Sequence, residues 1–250
     1  MKTQVLALPL ALCLFAGCAS PPAGSSASPS PPAPPSPPAA QSPPRPSPER
    51  ILEQAAAAPS LPFEGDGWQA LGNTNDLAGW RETQFAGRGQ VERRRGLILL
   101  NMGDPFTGIN WTNDFPKLNY EVALDAMRVV GSDFFCGLTV PVGDSFCSLI
   151  VGGWGGGVVG ISSLDGFDAS ENETTKYITF ENGRWYRLRL RVTAAKLEAW
   201  IDADKVVEVK TADKRISLRP GEIDLSKPFG LASWETTAAL RNIKMRPLLP

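Results

Sequence analysis

Between Asn182 and Lys210 the chain alternates so regularly that an antiparallel β-meander is the one local fold it suits. In Trp185-Tyr186-Arg187-Leu188-Arg189-Leu190-Arg191-Val192, Tyr186, Leu188, Leu190 and Val192 share one side and three arginines the other. Period-2 alternation of this length marks a strand with one buried and one wet face. Asn182-Gly183 precedes it as a turn dipeptide, since both residues tolerate positive φ. Leu197-Glu198-Ala199-Trp200-Ile201 alternates again, and Asp202-Ala203-Asp204-Lys205 turns the chain into Val206-Val207-Glu208-Val209.

The parity of the second strand bears on function. With Leu197, Ala199 and Ile201 turned inward, Trp200 shares the outer face with Arg187, Arg189 and Arg191. An indole among guanidinium groups gains about 0.5–1 kcal/mol by stacking at an exposed site. Two readings stay open: Trp200 covers arginine stems on a solvated face, or it is a platform for a sugar ring.

Further short segments carry strand patterns at 96–100, 118–130, 134–140, 146–151, 158–161, 176–180 and 239–246. About ten short strands with turn signals every 8–15 residues predict an all-β fold, a two-sheet antiparallel sandwich of jelly-roll type.

The N-terminal region is organised differently. Residues 1–18 read as a signal peptide: Lys2, then an apolar run from Val5 to Phe15 too short to span a bilayer. Leu14-Phe15-Ala16-Gly17-Cys18 resembles a bacterial lipobox, which makes Cys18 the lipidation site; cleavage near Ala19-Ser20 without lipidation is the alternative. The expected location is therefore the bacterial cell envelope, at the outer membrane or the periplasmic face, with membrane contact through the lipid anchor only. Several acyl chains, at about 0.8 kcal/mol per buried CH₂, would hold the protein durably where one would not.

Residues 19–48 contain 13 prolines and one charged group, Arg45. Such a segment cannot bury a core and is expected to be a disordered, extended linker reaching about 90 Å. Residues 49–60 read as a short helix or adaptor, with Ser47 and Pro48 as its start signals and Pro59 as its stop. Residues 61–250 form the globular unit, long enough for a two-layer core.

Charge and residue usage exclude several function classes. Lys2, Arg45 and Arg50 precede residue 61, as do Glu49 and Glu53. The totals of 25 basic and 26 acidic residues thus leave 22 against 24 in the globular unit. Such a balance argues against nucleic acid as a partner. Gly152-Gly153-Trp154-Gly155-Gly156-Gly157 is glycine-rich but lacks the Lys-Ser/Thr of a phosphate loop. The chain has no histidine, so hydrolases with a histidine base and His-ligated zinc or copper sites are ruled out. Acid–base chemistry would fall to carboxylates, tyrosine, lysine or cysteine. No cofactor is expected, and the metal that oxygen donors here would take is calcium.

Cys136 and Cys147 flank Pro141-Val142-Gly143-Asp144, a hairpin turn. A turn centred between Pro141 and Val142 would oppose the two thiols. One centred between Gly143 and Asp144 would offset them by four residues, too far to bridge.

The segment Leu71…Asn75-Asp76-Leu77-Ala78-Gly79-Trp80 resembles the Leu-Phe-Asn-Gly-x-Asp-Leu-x-Gly-Trp opening of the 3-keto-disaccharide hydrolase family. Further landmarks follow in the family's order. They are Gly108-Ile109-Asn110-Trp111-Thr112 with Tyr120 to Asp125, Asn182-Gly183-Arg184-Trp185-Tyr186, Lys196 to Val207, and Phe229-Gly230-Leu231 with Leu240-Arg241-Asn242-Ile243. The resemblance covers nearly all of 64–248. It implies a concanavalin A-like lectin/glucanase jelly roll and carbohydrate as ligand. The chain departs from the family at two places. Ala232-Ser233-Trp234-Glu235 stands where the family has Gln-Asp-His-Gly. Ser132-Asp133-Phe134-Phe135-Cys136-Gly137 stands, with no nearby arginine, where the family has Asn-Ser-Gly followed by an arginine strand. Fold carries over across such changes; activity does not.

An acidic insert is the candidate site. Asp165, Asp168, Glu171, Asn172 and Glu173 crowd oxygen donors beside the glycine run, which removes side chains that would block a ligand. They are the expected contacts to sugar hydroxyls, with Trp111, Trp154 and Trp200 as stacking platforms. A solvated loop of Asx turns is the alternative. A catalytic reading needs two carboxylates about 5–10 Å apart across a sugar cleft, and Asp125, Asp133, Asp168 and Glu173 supply the candidates. Three functions compete: a tethered carbohydrate-recognising module, a carboxylate-dependent glycoside hydrolase, and a structural envelope module that binds protein. A monomer is expected in each case.

Overall fold

The computed structural model describes residues 46–72 and 76–249. The signal peptide, the lipobox cysteine Cys18, nearly all of the proline-rich linker and Asn75 of the opening motif lie outside them. The described chain begins with α1 (Pro48–Ala57), then β1 (Gln69–Ala70), β2 (Trp80–Glu82), β3 (Val91–Arg94), β4 (Leu97–Leu100) and β5 (Phe106–Trp111). It continues through β6 (Tyr120–Gly131), β7 (Cys136–Val142), β8 (Ser145–Gly153), β9 (Val158–Ser162) and β10 (Lys176–Tyr177). The meander follows as β11 (Tyr186–Val192), β12 (Lys196–Ile201) and β13 (Asp204–Lys210). A 3-10 turn over Glu222–Ser226 leads to β14 (Gly230–Trp234) and β15 (Thr236–Pro247).

The strands form the antiparallel two-sheet jelly roll. The first sheet runs β13-β12-β11-β6-β15-β4-β3, with β1 also on β15; the second runs β10-β9-β8-β7-β14-β5-β2. Alternation explains the meander: along β11, Leu188, Leu190 and Val192 are fully buried between the sheets, while the arginines stay half-exposed. Arg189 lies directly across from Trp200, its guanidinium 3.9 Å from the ring centroid. Trp200 therefore faces outward and covers arginine side chains. β5 and β14, which show motif residues and little alternation, pair with each other inside the second sheet, between β7 and the edge strand β2.

The helix forms where Ser47 and Pro48 signal it, with Ser47 Oγ accepting from the Arg50 amide at 3.4 Å. Its role differs from that of an adaptor. Ile51, Leu52 and Ala55 are buried against Leu97, Leu99, Met127, Val129 and Ala239, on the outer face of the first sheet. The chain after it crosses the same face under arginine clamps. Arg187 donates to the carbonyls of Leu61 (2.6 Å) and Pro62 (2.9 Å). Arg241 donates to those of Ala58 (2.8 Å) and Pro59 (3.2 Å).

The β7–β8 register resolves the cysteine pair. Val142 pairs with Ser145 around Gly143-Asp144, so Cys136 lies opposite Val151 and Cys147 opposite Val140. The offset keeps both thiols free and buried, and burial pushes each of them up to about 12. Neither thiol is a nucleophile near neutral pH.

Candidate carbohydrate pocket

On the outer face of the second sheet the side chains alternate small and aromatic, which leaves a depression. β14 turns Ala232 and Trp234 outward beside Phe106 of β5 and Phe134 ahead of β7. Phe106 packs edge-on against Trp234, with ring centroids 4.6 Å apart. The segment from Arg219 to Ile223 crosses this face, anchored by Ile223 in the aromatic cluster. Asn110 fixes it further by donating to the carbonyls of Leu225 and Lys227, both at 3.0 Å. Between that segment and the β8–β9 turn lies a cavity of about 390 Å³.

Trp154 forms the outer wall. It sits in the β8–β9 turn with φ +49°, a left-handed conformation rare for a bulky residue, and is 42 % exposed. Two of the glycines around it, Gly152 and Gly156, are explained by Arg128 of β6. A Cβ on Gly152 would stand 2.7 Å from the Arg128 guanidinium and one on Gly156 2.9 Å from it. Arg128 donates to the Gly156 carbonyl at 2.7 Å, and its pKa is lowered by burial, against the opposing pull of Asp133 and Tyr186. The run thus wraps a buried cation, and its consequence for a ligand is the placement of Trp154.

Asp168 supplies the polar side. One carboxylate oxygen accepts from Ser162 Oγ and from the Ala169 amide, the latter at 3.0 Å. The other is paired with Arg219 at 3.0 Å, an arginine that is itself 60 % exposed. Arg219 also stands 6.0 Å from the Trp154 ring, so one mobile-length cation links the carboxylate to the indole. Glu222 lines the same cavity and accepts from the Ala86 amide at 3.2 Å.

The remaining candidate residues fall elsewhere. Asn172 organises its own loop, donating to the carbonyls of Ile161 (2.7 Å), Phe167 (3.1 Å) and Asp168 (2.8 Å). Its carbonyl oxygen accepts from Thr174. Asp165 accepts from the Arg215 amide at 2.8 Å. That bond, aided by Lys214, holds its carboxyl below the usual range. Glu173 is paired with Lys214 at 2.9 Å. Asp133 accepts from the amides of Phe134 (2.7 Å) and Gly155 (3.0 Å) and so fixes the base of the Trp154 turn. Trp111 packs edge-on against Trp80, centroids 5.2 Å apart, at the border of the core.

Asp125 and Trp200 belong to the opposite face of the sandwich. Asp125 is buried on β6 and accepts from Arg187 (3.0 Å), Arg241 (3.3 Å) and Asn242 (2.8 Å). The fold therefore brings together Trp154 and Asp168 and adds Phe106, Phe134, Arg219, Glu222 and Trp234. Of these, Trp234 had a signal in the sequence, as the residue standing where the resembling family has histidine. Phe106 comes from the start of β5, and Phe134, Arg219 and Glu222 from segments between strands that are distant in the chain.

Comparison with known proteins identifies the family and the fold. A family model for the 3-keto-alpha-glucoside-1,2-lyase-like domain matches residues 67–246. No curated protein matches by sequence. Among solved structures, a candidate glycosyl hydrolase from Parabacteroides distasonis superposes with a TM-score of 0.50 at 14 % identity, over 73 % of this chain and 95 % of that one. A Bacillus subtilis protein of unknown function with a galectin-like fold gives 0.51 at 11 % identity, over 72 % and 94 %. At such identities the likeness is one of fold.

Proposed function

The chain belongs to the 3-keto-alpha-glucoside-1,2-lyase-like domain family, and on that premise we propose that its jelly roll recognises a neutral carbohydrate in the pocket walled by Trp154, Trp234 and Asp168. The observation that carries the reading is the pairing of aromatic walls with one oriented carboxylate in a single cavity of about 390 Å³, a size suited to a small ligand. The apolar C–H face of a pyranose packs on an indole, while Asp168, Ser162 and Arg219 offer a charge-assisted set of donors and acceptors to neighbouring hydroxyls. Recognition is favoured over turnover because Trp234 occupies the position of the family's histidine and the chain contains no histidine at all.

A second reading has one observation in its favour. Glu222 lines the cavity with Asp168, and two carboxylates in one cleft are what acid–base glycoside hydrolysis uses. A glycan array combined with a reducing-end assay separates the two. Retention of neutral disaccharides or glucans without release of reducing ends supports recognition. Release that disappears in Glu222→Gln supports hydrolysis. No retention of any glycan removes both and leaves a protein-binding module.

The proposal extends to display of this domain at the bacterial envelope through acylation of Cys18, supported by the lipobox-like Leu14-Phe15-Ala16-Gly17-Cys18. Cys18→Ser is expected to move the protein from the detergent phase to the soluble fraction. Unchanged partitioning would refute the anchor.

A further inference from the structure

On the outer face of the first sheet lies a second cavity, of about 690 Å³. Its floor is Ala123, Asp125, Arg187, Arg189 and Trp200, and the clamped segment from Pro59 to Glu64 forms one wall. Arg184, Arg187, Arg189, Arg191, Arg241 and Arg246 gather on this face against the carboxylates of Glu121, Asp125, Glu198 and Asp202. The cavity lining itself holds four guanidinium groups, of Arg184, Arg187, Arg189 and Arg241, against three carboxylates, of Glu64, Asp125 and Asp202, in a protein whose net charge is -1.

Most of these arginines are committed. Arg187 spends its donors on Asp125 and two main-chain carbonyls. Arg241 does the same, and Arg184 pairs with Asp202 at 2.7 Å. Arg189 differs. Its contact with Glu121, at 3.6 Å, is too long for a hydrogen bond, and it donates no hydrogen bond among the described residues. Glu121 is fully buried and already accepts from Arg191 and Arg246. What holds Arg189 in place is the Trp200 ring 3.9 Å beneath it. Its side chain is 28 % exposed.

A stacked guanidinium with free donors, facing an open cavity in an excess of positive charge, matches a planar or tetrahedral anion through two parallel bonds. The aromatic side chains Phe63, Trp68 and Trp185 also line the cavity, and each already carries a guanidinium over its ring, from Arg187, Arg246 and Arg241 in that order. We infer that this cavity is a second binding site, one that takes an acidic saccharide, with Arg189 on the carboxylate of a uronate or on a sulfate ester. The site is independent of the pocket on the second sheet: it lies on the other face and selects the opposite property, negative charge.

The test titrates the full chain with trigalacturonate, a sulfated disaccharide and neutral galactotriose. The Arg189 Nε–Hε resonance, assigned by its loss in Arg189→Lys, is followed in each. At least one acidic sugar is expected to bind and shift that resonance, more weakly as salt rises, while galactotriose leaves it unmoved. Affinity for that sugar should fall by at least about tenfold in Arg189→Gln, the loss of one charge-assisted pair, and be unchanged in Trp154→Ala. Failure of both acidic sugars to bind would overturn the inference, as would binding unaffected by Arg189→Gln or abolished by Trp154→Ala. If Arg189→Gln does not fold, the wild-type resonance decides alone.

Discussion

Leu190→Asp is expected to abolish the cooperative unfolding transition at room temperature. Leu190 is fully buried at the centre of β11, across from Val122 of β6 and Ala199 of β12. Aspartate there would lose the packing of a large side chain, about 2–5 kcal/mol. It would also place an unpaired carboxylate between two apolar sheets, at a further cost of several kcal/mol. The sum consumes most of the roughly 5–15 kcal/mol that holds a domain together. Arg189→Ala, one residue away, forfeits a partly exposed ion pair and a stacking contact, together worth about 1–2 kcal/mol. Denaturant titration by far-UV circular dichroism compares the two. Equal tolerance would show that the inward and outward faces of β11 are misassigned.

Removal of residues 1–60 is expected to lower the melting temperature by about 6–12 °C or more. Ile51 and Leu52 are buried against β4, β6 and β15, and withdrawing two such side chains costs about 3–6 kcal/mol. In a domain near 200 residues each kcal/mol shifts the midpoint by about 2–4 °C. The truncation also leaves Arg241 without its carbonyl acceptors at Ala58 and Pro59 and exposes Met127 and Val129. Removal of residues 1–45 alone keeps α1 and should leave the midpoint within a few degrees. A chain starting at residue 61 that melts with the full one would mean that α1 contributes no stability.

These two cases mark where the sequence was informative. The face of β11 is legible because alternation is a local property, repeated over seven residues with no dependence on what packs above. The helix is legible as a helix, since Ser47 and Pro48 act within one turn, yet its docking is a tertiary event with Leu97, Met127 and Ala239, on three strands far apart in the chain. Tyr120–Gly131 carried the hint: Met127 and Val129 are apolar on the face where Glu121 and Asp125 are charged, so something had to cover that end of β6.

The site followed the same division. Trp154 and Asp168 stand out by residue type, and both line the pocket. The rest of the acidic loop is spent on its own architecture, through Asn172 on three carbonyls and Lys214 between Asp165 and Glu173. Those partners cannot be assigned from spacing. The glycine run reads as clearance for a ligand, whereas two of its members, Gly152 and Gly156, clear the Arg128 guanidinium. A close approach by a side chain and one by a ligand leave the same trace in a sequence. For the cysteines, a one-residue choice of turn centre separated a bridge from two buried thiols, and Val142 pairing with Ser145 decides it.

The most direct test of carbohydrate recognition on the second sheet is calorimetry of the full chain against a panel of neutral disaccharides and glucans, repeated with Trp154→Ala and Asp168→Ala. At least one sugar should bind the wild type. Each substitution should weaken it about tenfold or more, because a stacking face or a charge-assisted hydrogen bond is worth about 1–3 kcal/mol. Trp154 is 42 % exposed and the Asp168 side chain 15 %, and both lie outside the apolar clusters between and on the sheets, so the melting temperature of both variants should stay within a few degrees of wild type. Absence of heat for every sugar with the wild type, or equal affinity in all three proteins, would contradict the assignment.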